Sequence, residues 1–418
     1  MGIQALETTD ILIIGAGPAG SVAASYLQRA GVQVTVVERT QFPRIVVGES
    51  LLPRSMDHFE EAGLLDALIA QGFEKKPGAR FIRGNEICIF DFSQKFGTGW
   101  DWTWQAPRAD FDYTLSQELL KIGVDLRFKH EVKAVDIQED AALVSLTNDN
   151  GEPYQIKAKF LIDCSGYGRV LPKMLGLDTP SKLSPHSAIF SHVKDSNRPE
   201  GVEGTQISFD ILETEVWLWV IPFSNGNTSL GIVAPTDYIN KLSEDQDTRK
   251  ALERAIQKSD YYINRFGDTT FLFEPIHLKN YSAAVSAMYG SNYALTGNSA
   301  EFLDPVFSSG VCFATESGLL AAKLAAKQLK GEAVDWKVSY QDYMERGIAV
   351  FTTYVKEWYT GNLQTLFFHQ PENKDVKDRI CAILAGYVWN EENNFVTKHH
   401  NIVKNMAHLI ALQNETKM

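Results

Sequence analysis

The 418-residue chain is 44% hydrophobic and 22% charged, which excludes a disordered, collagen-like or small disulfide-stapled polypeptide. Its net charge of -12 lacks the footprint of a nucleic-acid binder, so no nucleic-acid partner is expected. The length suits about two or three domains.

In chain order, residues 1–10 carry no basic n-region and no apolar h-region, so no secretory signal is expected. Residues 11–14 are β-branched and apolar and read as a buried strand. Gly15-Ala-Gly17-Pro-Ala19-Gly20 follows, then a helix over 21–30 that Gly31 ends, then a second strand over 32–37 closed by Glu38 and Arg39. Gly15 permits the tight turn, Gly17 lets the backbone approach a pyrophosphate, and Gly20 lets the helix pack on the strand. The helix start offers N–H donors to phosphates, and Glu38, near the usual ~20-residue spacing, can accept from ribose hydroxyls. The unit predicts a dinucleotide but does not separate NAD from FAD.

Farther along come Glu49-Ser50-Leu51-Leu52-Pro53, then Lys75-Lys76-Pro-Gly78-Ala-Arg-Phe81. Read alone, the latter is two solvated surface lysines. Arg108-Ala-Asp110-Phe-Asp112 predicts a helix starting near Asp110 or Asp112, with Arg108 free to pair with a phosphate. Residues 160–166 read as an apolar strand ending in Asp163, small residues and Gly166. In Trp217-Leu-Trp219-Val-Ile221-Pro222 the alternate residues share one face, which is either core or the lining of a site. Gly297-Asn298 and Asp304-Pro305-Val-Phe307-Ser308-Ser309-Gly310-Val311 then lead into a helix over 311–329. That stretch carries Glu316, Lys323 and Lys327, which argues against a membrane span. The four cysteines, Cys88, Cys164, Cys312 and Cys381, lie far apart with no CxxC pair, so neither disulfides nor a metal site is expected and a reducing cytoplasm fits best.

These segments together resemble the para-hydroxybenzoate-hydroxylase-like FAD monooxygenases. Within them the chain resembles the phenol- and pyrrole-type flavin-dependent halogenases, over most of residues 9–330. The resemblance implies an α/β fold: a Rossmann-like FAD-binding domain, an inserted and mostly antiparallel β-sheet substrate domain, and a helical C-terminal region. The corresponding segments are 1–80, 105–180 and 278–335 for the FAD domain, 81–104 and 181–277 for the substrate domain, and 336–418 for the helices. It implies FAD held by Gly15, Gly17, Ala19, Gly20, Glu38, Arg39, Glu49, Ser50, Arg108, Asp163, Asn298, Asp304, Gly310 and Val311. Halide is expected at Ser308, Ser309 and Gly310. Lys76, with Lys75 as the register alternative, is expected to deliver the halogen from a dry tunnel that lowers its pKa, with Trp217 and Trp219 keeping the organic substrate from the flavin. The chain departs from family patterns at Asn298, where Asp is common, and at Phe307, where tryptophan halogenases place a glutamate. The implied partners are a small electron-rich aromatic substrate, free or tethered to a carrier protein, halide ion and a separate flavin reductase. An aromatic hydroxylase, a prenyl-reductase-like flavoprotein and a non-catalytic flavin-binding redox protein remain the alternatives.

Overall fold

The computed structural model describes residues 6–243, 245, 247–369 and 374–415. The proposed first and last segments therefore have ends, 1–5 and 416–418, outside the described residues.

The first strand, Leu6–Ile14, pairs in parallel with Pro153–Asp163 on one side and Val34–Glu38 on the other. Tyr293–Leu295 joins beyond the former and Asp125–Phe128 beyond the latter, all parallel, within an eight-stranded sheet. Residues 11–14 sit at its centre, buried on both faces, as a parallel sheet covered by helices requires. The strand starts at Leu6, earlier than its apolar run, because the long partner strand pairs with its polar beginning from Gln155 onward. The helix after the glycine turn spans Pro18–Arg29 and not 21–30, since proline suits a first helical turn. It packs against the 21-residue helix Ser309–Leu329, which brings the two ends of the FAD-binding segments together.

A second, seven-stranded sheet takes its strands from two separated parts of the chain. Gly78–Arg83 and Glu86–Asp91 form a hairpin, and Gly78–Arg83 pairs in parallel with Ser208–Glu213. The remaining neighbours, through Val216–Pro222, Asn227–Pro235, His186–Lys194 and Ile276–Leu278, are antiparallel. That one parallel pairing welds the two inserted segments into a single sheet. Past residue 336 the chain is helical, with Asp342–Tyr359, Asn362–Phe368, Lys374–Leu384 and His399–Glu415 as its longer pieces. Trp358 and Phe367 from these helices pack on Phe81 of the second sheet, with ring centroids 5.4 and 4.8 Å away.

Candidate active site

A cleft of about 480 Å³ has a lining of two kinds. One part is glycine backbone and polar side chains from the first sheet, and the other is Ile207, Phe209, Trp217, Trp219 and Ile221 from the second.

The polar part starts at the glycine turn. Gly15 has φ +101, and a Cβ there would lie 2.5 Å from the Cys164 carbonyl oxygen, so the turn admits no other residue. Gly20 does not line the cleft; its Cβ would meet the Gly15 carbonyl oxygen at 2.0 Å, so it serves the helix–turn packing. Gly17, Ala19, Glu38 and Arg39 line the cleft. Glu38 is tied to the turn it faces: Oε2 accepts from the Ala16 N–H at 3.1 Å, and Oε1 from the Thr40 N–H and O–H.

The helix Arg108–Lys121 begins at Arg108, not at Asp110 or Asp112. The Arg108 guanidinium donates to both Asp112 oxygens, at 2.8 and 2.9 Å, and to the Val47 carbonyl at 2.9 Å. Arg44 shares the same buried carboxylate at 3.5 Å, and its guanidinium lies 3.7 Å from where a Cβ on Gly17 would sit. Both arginines line the cleft, and one carboxylate pre-positions two cations beside the glycine turn. Glu49 and Ser50 line it as well. Glu49 Oε1 meets His192 Nε2 at 2.5 Å, whereas Glu49 Oε2 and Ser50 Oγ are buried with no protein partner. Asn298, Ser308, Gly310 and Val311 complete this wall, with Ser308 at φ +57 just before the long helix.

Besides Gly20, three expected contacts sit elsewhere. Asp163 is fully buried, accepts N–H bonds from Ser165 and Leu171 at 2.8 and 2.7 Å, and shapes the turn after its strand. Burial raises its pKa against those donors. Asp304 Oδ1 accepts from the Val306 N–H and Oδ2 from the Tyr281 and Tyr359 hydroxyls, and it does not line the cleft. Ser309 turns away from the cleft into a small neighbouring cavity with Glu301 and Tyr340.

On the aromatic side, Trp217, Trp219 and Ile221 face the cleft, while Leu218 and Val220 belong to a separate core on the sheet's other face. The strand is therefore both core and site lining. Trp219 lies flat over its cross-strand neighbour Gly231, where a Cβ would come within 2.2 Å of the indole, and donates to Ser229 Oγ at 3.0 Å.

Lys76 lies outside the cleft, against residue 51. Lys75 is exposed with its ammonium 4.7 Å over the Trp102 ring. Lys76, one residue on in the same strand, is 2% exposed; its Nζ donates to the Leu51 carbonyl at 2.8 Å and sits 5.6 Å over the Phe92 ring. Burial without a counter-charge lowers its pKa to about 7. The stretch 49–51 is the partition: Ser50 faces the cleft and the next carbonyl faces Lys76. It is held by backbone bonds from the Leu51 N–H to the Trp104 carbonyl and from the Ala106 N–H to the Glu49 carbonyl.

Arg44, His192 and Gly231 escaped the sequence reading. Each matters through a partner distant in the sequence or across a strand, and no local spacing marks it.

The glycine turn, the helix start, two guanidiniums and unpaired buried acceptors make a wall suited to a flavin dinucleotide. A family model described as FAD binding domain matches residues 8–355. The chain belongs to this family. It is an FAD-dependent oxidoreductase, and its relatives bear out the halogenase resemblance. It is 28% identical, over 91% of its length and 92% of the relative's, to a 1H-pyrrole-2-carbonyl-(peptidyl-carrier protein) brominase of Pseudoalteromonas luteoviolacea. The solved structure of a flavoprotein/dehydrogenase from Cytophaga hutchinsonii is 45% identical with a TM-score of 0.95, covering 98% of this chain and 100% of that one. The flavin-dependent brominase Bmp2 is 25% identical with a TM-score of 0.83, at the same coverage. Among the described residues, no helix is long and apolar enough to cross a membrane.

Proposed function

We propose that this flavoprotein halogenates an electron-rich aromatic ring of the phenol or pyrrole kind, using reduced FAD, dioxygen and halide. The observation that carries the reading is Lys76, a buried amine with a pKa near 7, one peptide away from the cofactor cleft. Bound FAD supplies the electrons that reduce dioxygen and so drives oxidation of halide to hypohalous acid.

The protein's own groups do the rest. Ser308 and Gly310 stand where the long helix begins, and its N–H groups and positive end favour a halide ion. Trp217, Trp219 and Ile221 exclude water and bulky rings from the flavin side. The neutral Lys76 amine attacks hypohalous acid at the halogen, forming N–X and releasing water. The ring then takes the halogen, loses its proton, and returns the amine. Burial keeps enough of the amine neutral near pH 7 to act as the nucleophile.

Reduced FAD comes from a separate flavin reductase, and the four cysteines, unbonded to one another, suit a reducing cytoplasm. A pyrrole tethered to a carrier protein is the first substrate to test, since the brominase relative is named for one. Supplied with reduced FAD and air, the protein should give a halogenated product from a phenol and carrier-bound pyrrole panel only when halide is present, as read by mass spectrometry. A halide-independent oxygenated product would replace this reading with the hydroxylase.

A further inference from the structure

Three distant parts of the chain meet at one carboxylate oxygen. The Trp217 indole N–H donates to the Tyr359 hydroxyl at 3.3 Å, and that hydroxyl donates to Asp304 Oδ2 at 2.9 Å. Tyr281 donates to the same oxygen at 3.0 Å. An indole only donates, a hydroxyl does both and an ionised carboxylate only accepts, so the series runs from Trp217 through Tyr359 to Asp304. The other Asp304 oxygen accepts from the Val306 N–H and so closes the turn that ends at Ser308, a cleft residue.

One carboxylate thus shapes the turn beside the helix start with one oxygen and fixes a wall tryptophan with the other. Trp217 faces the cleft and packs on Phe209 at 5.5 Å; Phe209 in turn stacks on Phe81 at 4.8 Å. Its indole is 1% exposed, and Tyr359 is the partner that satisfies its N–H. The Tyr359 ring is itself seated against His186, centroids 4.1 Å apart.

We propose that Tyr359 is a positioning residue: it couples the orientation of the Trp217 wall to the Asp304 turn, so that the C-terminal helix Asp342–Tyr359 holds the barrier between flavin and substrate in place. The inference rests on the halogenase reading for its effect on product and on the FAD cleft alone for its effect on the bound cofactor.

Tyr359→Phe keeps the ring against His186 and removes only the hydroxyl. Two quantities are measured on FAD-loaded Tyr359→Phe, Tyr281→Phe, Trp217→Phe and the Tyr359/Trp217 double variant: the visible circular dichroism of bound FAD, and product formed per reduced FAD consumed. Tyr359→Phe should change the dichroism in the same direction as Trp217→Phe, lower product per FAD by about fivefold, and add nothing to Trp217→Phe in the double variant. Tyr281→Phe, which frees the same Asp304 oxygen of its other hydroxyl without touching Trp217, should lower product less. An unchanged dichroism in Tyr359→Phe, equal losses in the two tyrosine variants, or multiplying losses in the double variant would overturn the proposal. If the wild type makes no halogenated product, the halogenase reading fails and the dichroism still decides the role of Tyr359.

Discussion

The two walls of the cleft are built from different materials. Around Gly15 the chain presents backbone, two guanidiniums on one carboxylate, and acceptors without protein partners. Around Trp217 it presents rings held by other rings, and Lys76, beyond the separate partition at residues 49–51, is buried without a counter-charge. The first wall offers polar partners to a charged group; the second is a packed apolar barrier, and Lys76 owes its lowered pKa to its own burial against Leu51 and Phe92. A polar wall fixes where a charged cofactor lies, and an apolar one decides what else reaches it.

The sharpest way to break this contrast is Gly15→Ala. The added Cβ has no room beside the Cys164 carbonyl, and φ +101 disfavours any side chain. FAD affinity should fall by about a hundredfold or more, read by equilibrium titration of flavin absorbance. Unchanged affinity would mean that the turn does not approach the cofactor.

A smaller effect sharpens the dry side. The folded pKa of Lys76, about 7, lies below its unfolded value of 10.5, so the unfolded chain binds the extra proton between them. The resulting penalty on the folded state is full below about pH 7, shrinks as pH rises, and vanishes above about 10.5. Lys76→Met should therefore gain stability over the wild type by up to ~4 kcal/mol at pH 6.5, and the gain should narrow by pH 9, as measured by urea unfolding. A gain that does not change with pH would show a solvated amine.

The polar wall was the more legible of the two in the sequence. Gly15, Gly17, Glu38 and Asn298 belong to short strand–turn–helix units whose spacing states their geometry, so local residues sufficed. Helix starts moved by a few residues, to Pro18, Arg108 and Ser309, because a proline or a turn residue sits comfortably in a first turn. Asp163 and Asp304 sat in recognisable motifs, yet their carboxylates brace turns and do not line the cleft. The choice between Lys75 and Lys76 followed from strand parity, which only the pairing with Thr103–Gln105 reveals. Gly231 opposite Trp219, and Tyr359 beneath Trp217, depend on register and on a helix far along the chain, and no window of sequence contains either pair.

On the proposed mechanism, oxidant made in the polar cleft is used by the Lys76 amine on the far side of residues 49–51. Single-turnover halogenation by wild type and Lys76→Met, each loaded with reduced FAD and mixed with oxygen, bromide and substrate, tests it most directly. FAD oxidation should be equal in both, with halogenated product reduced by about a hundredfold in Lys76→Met. Equal product from the two proteins would contradict it.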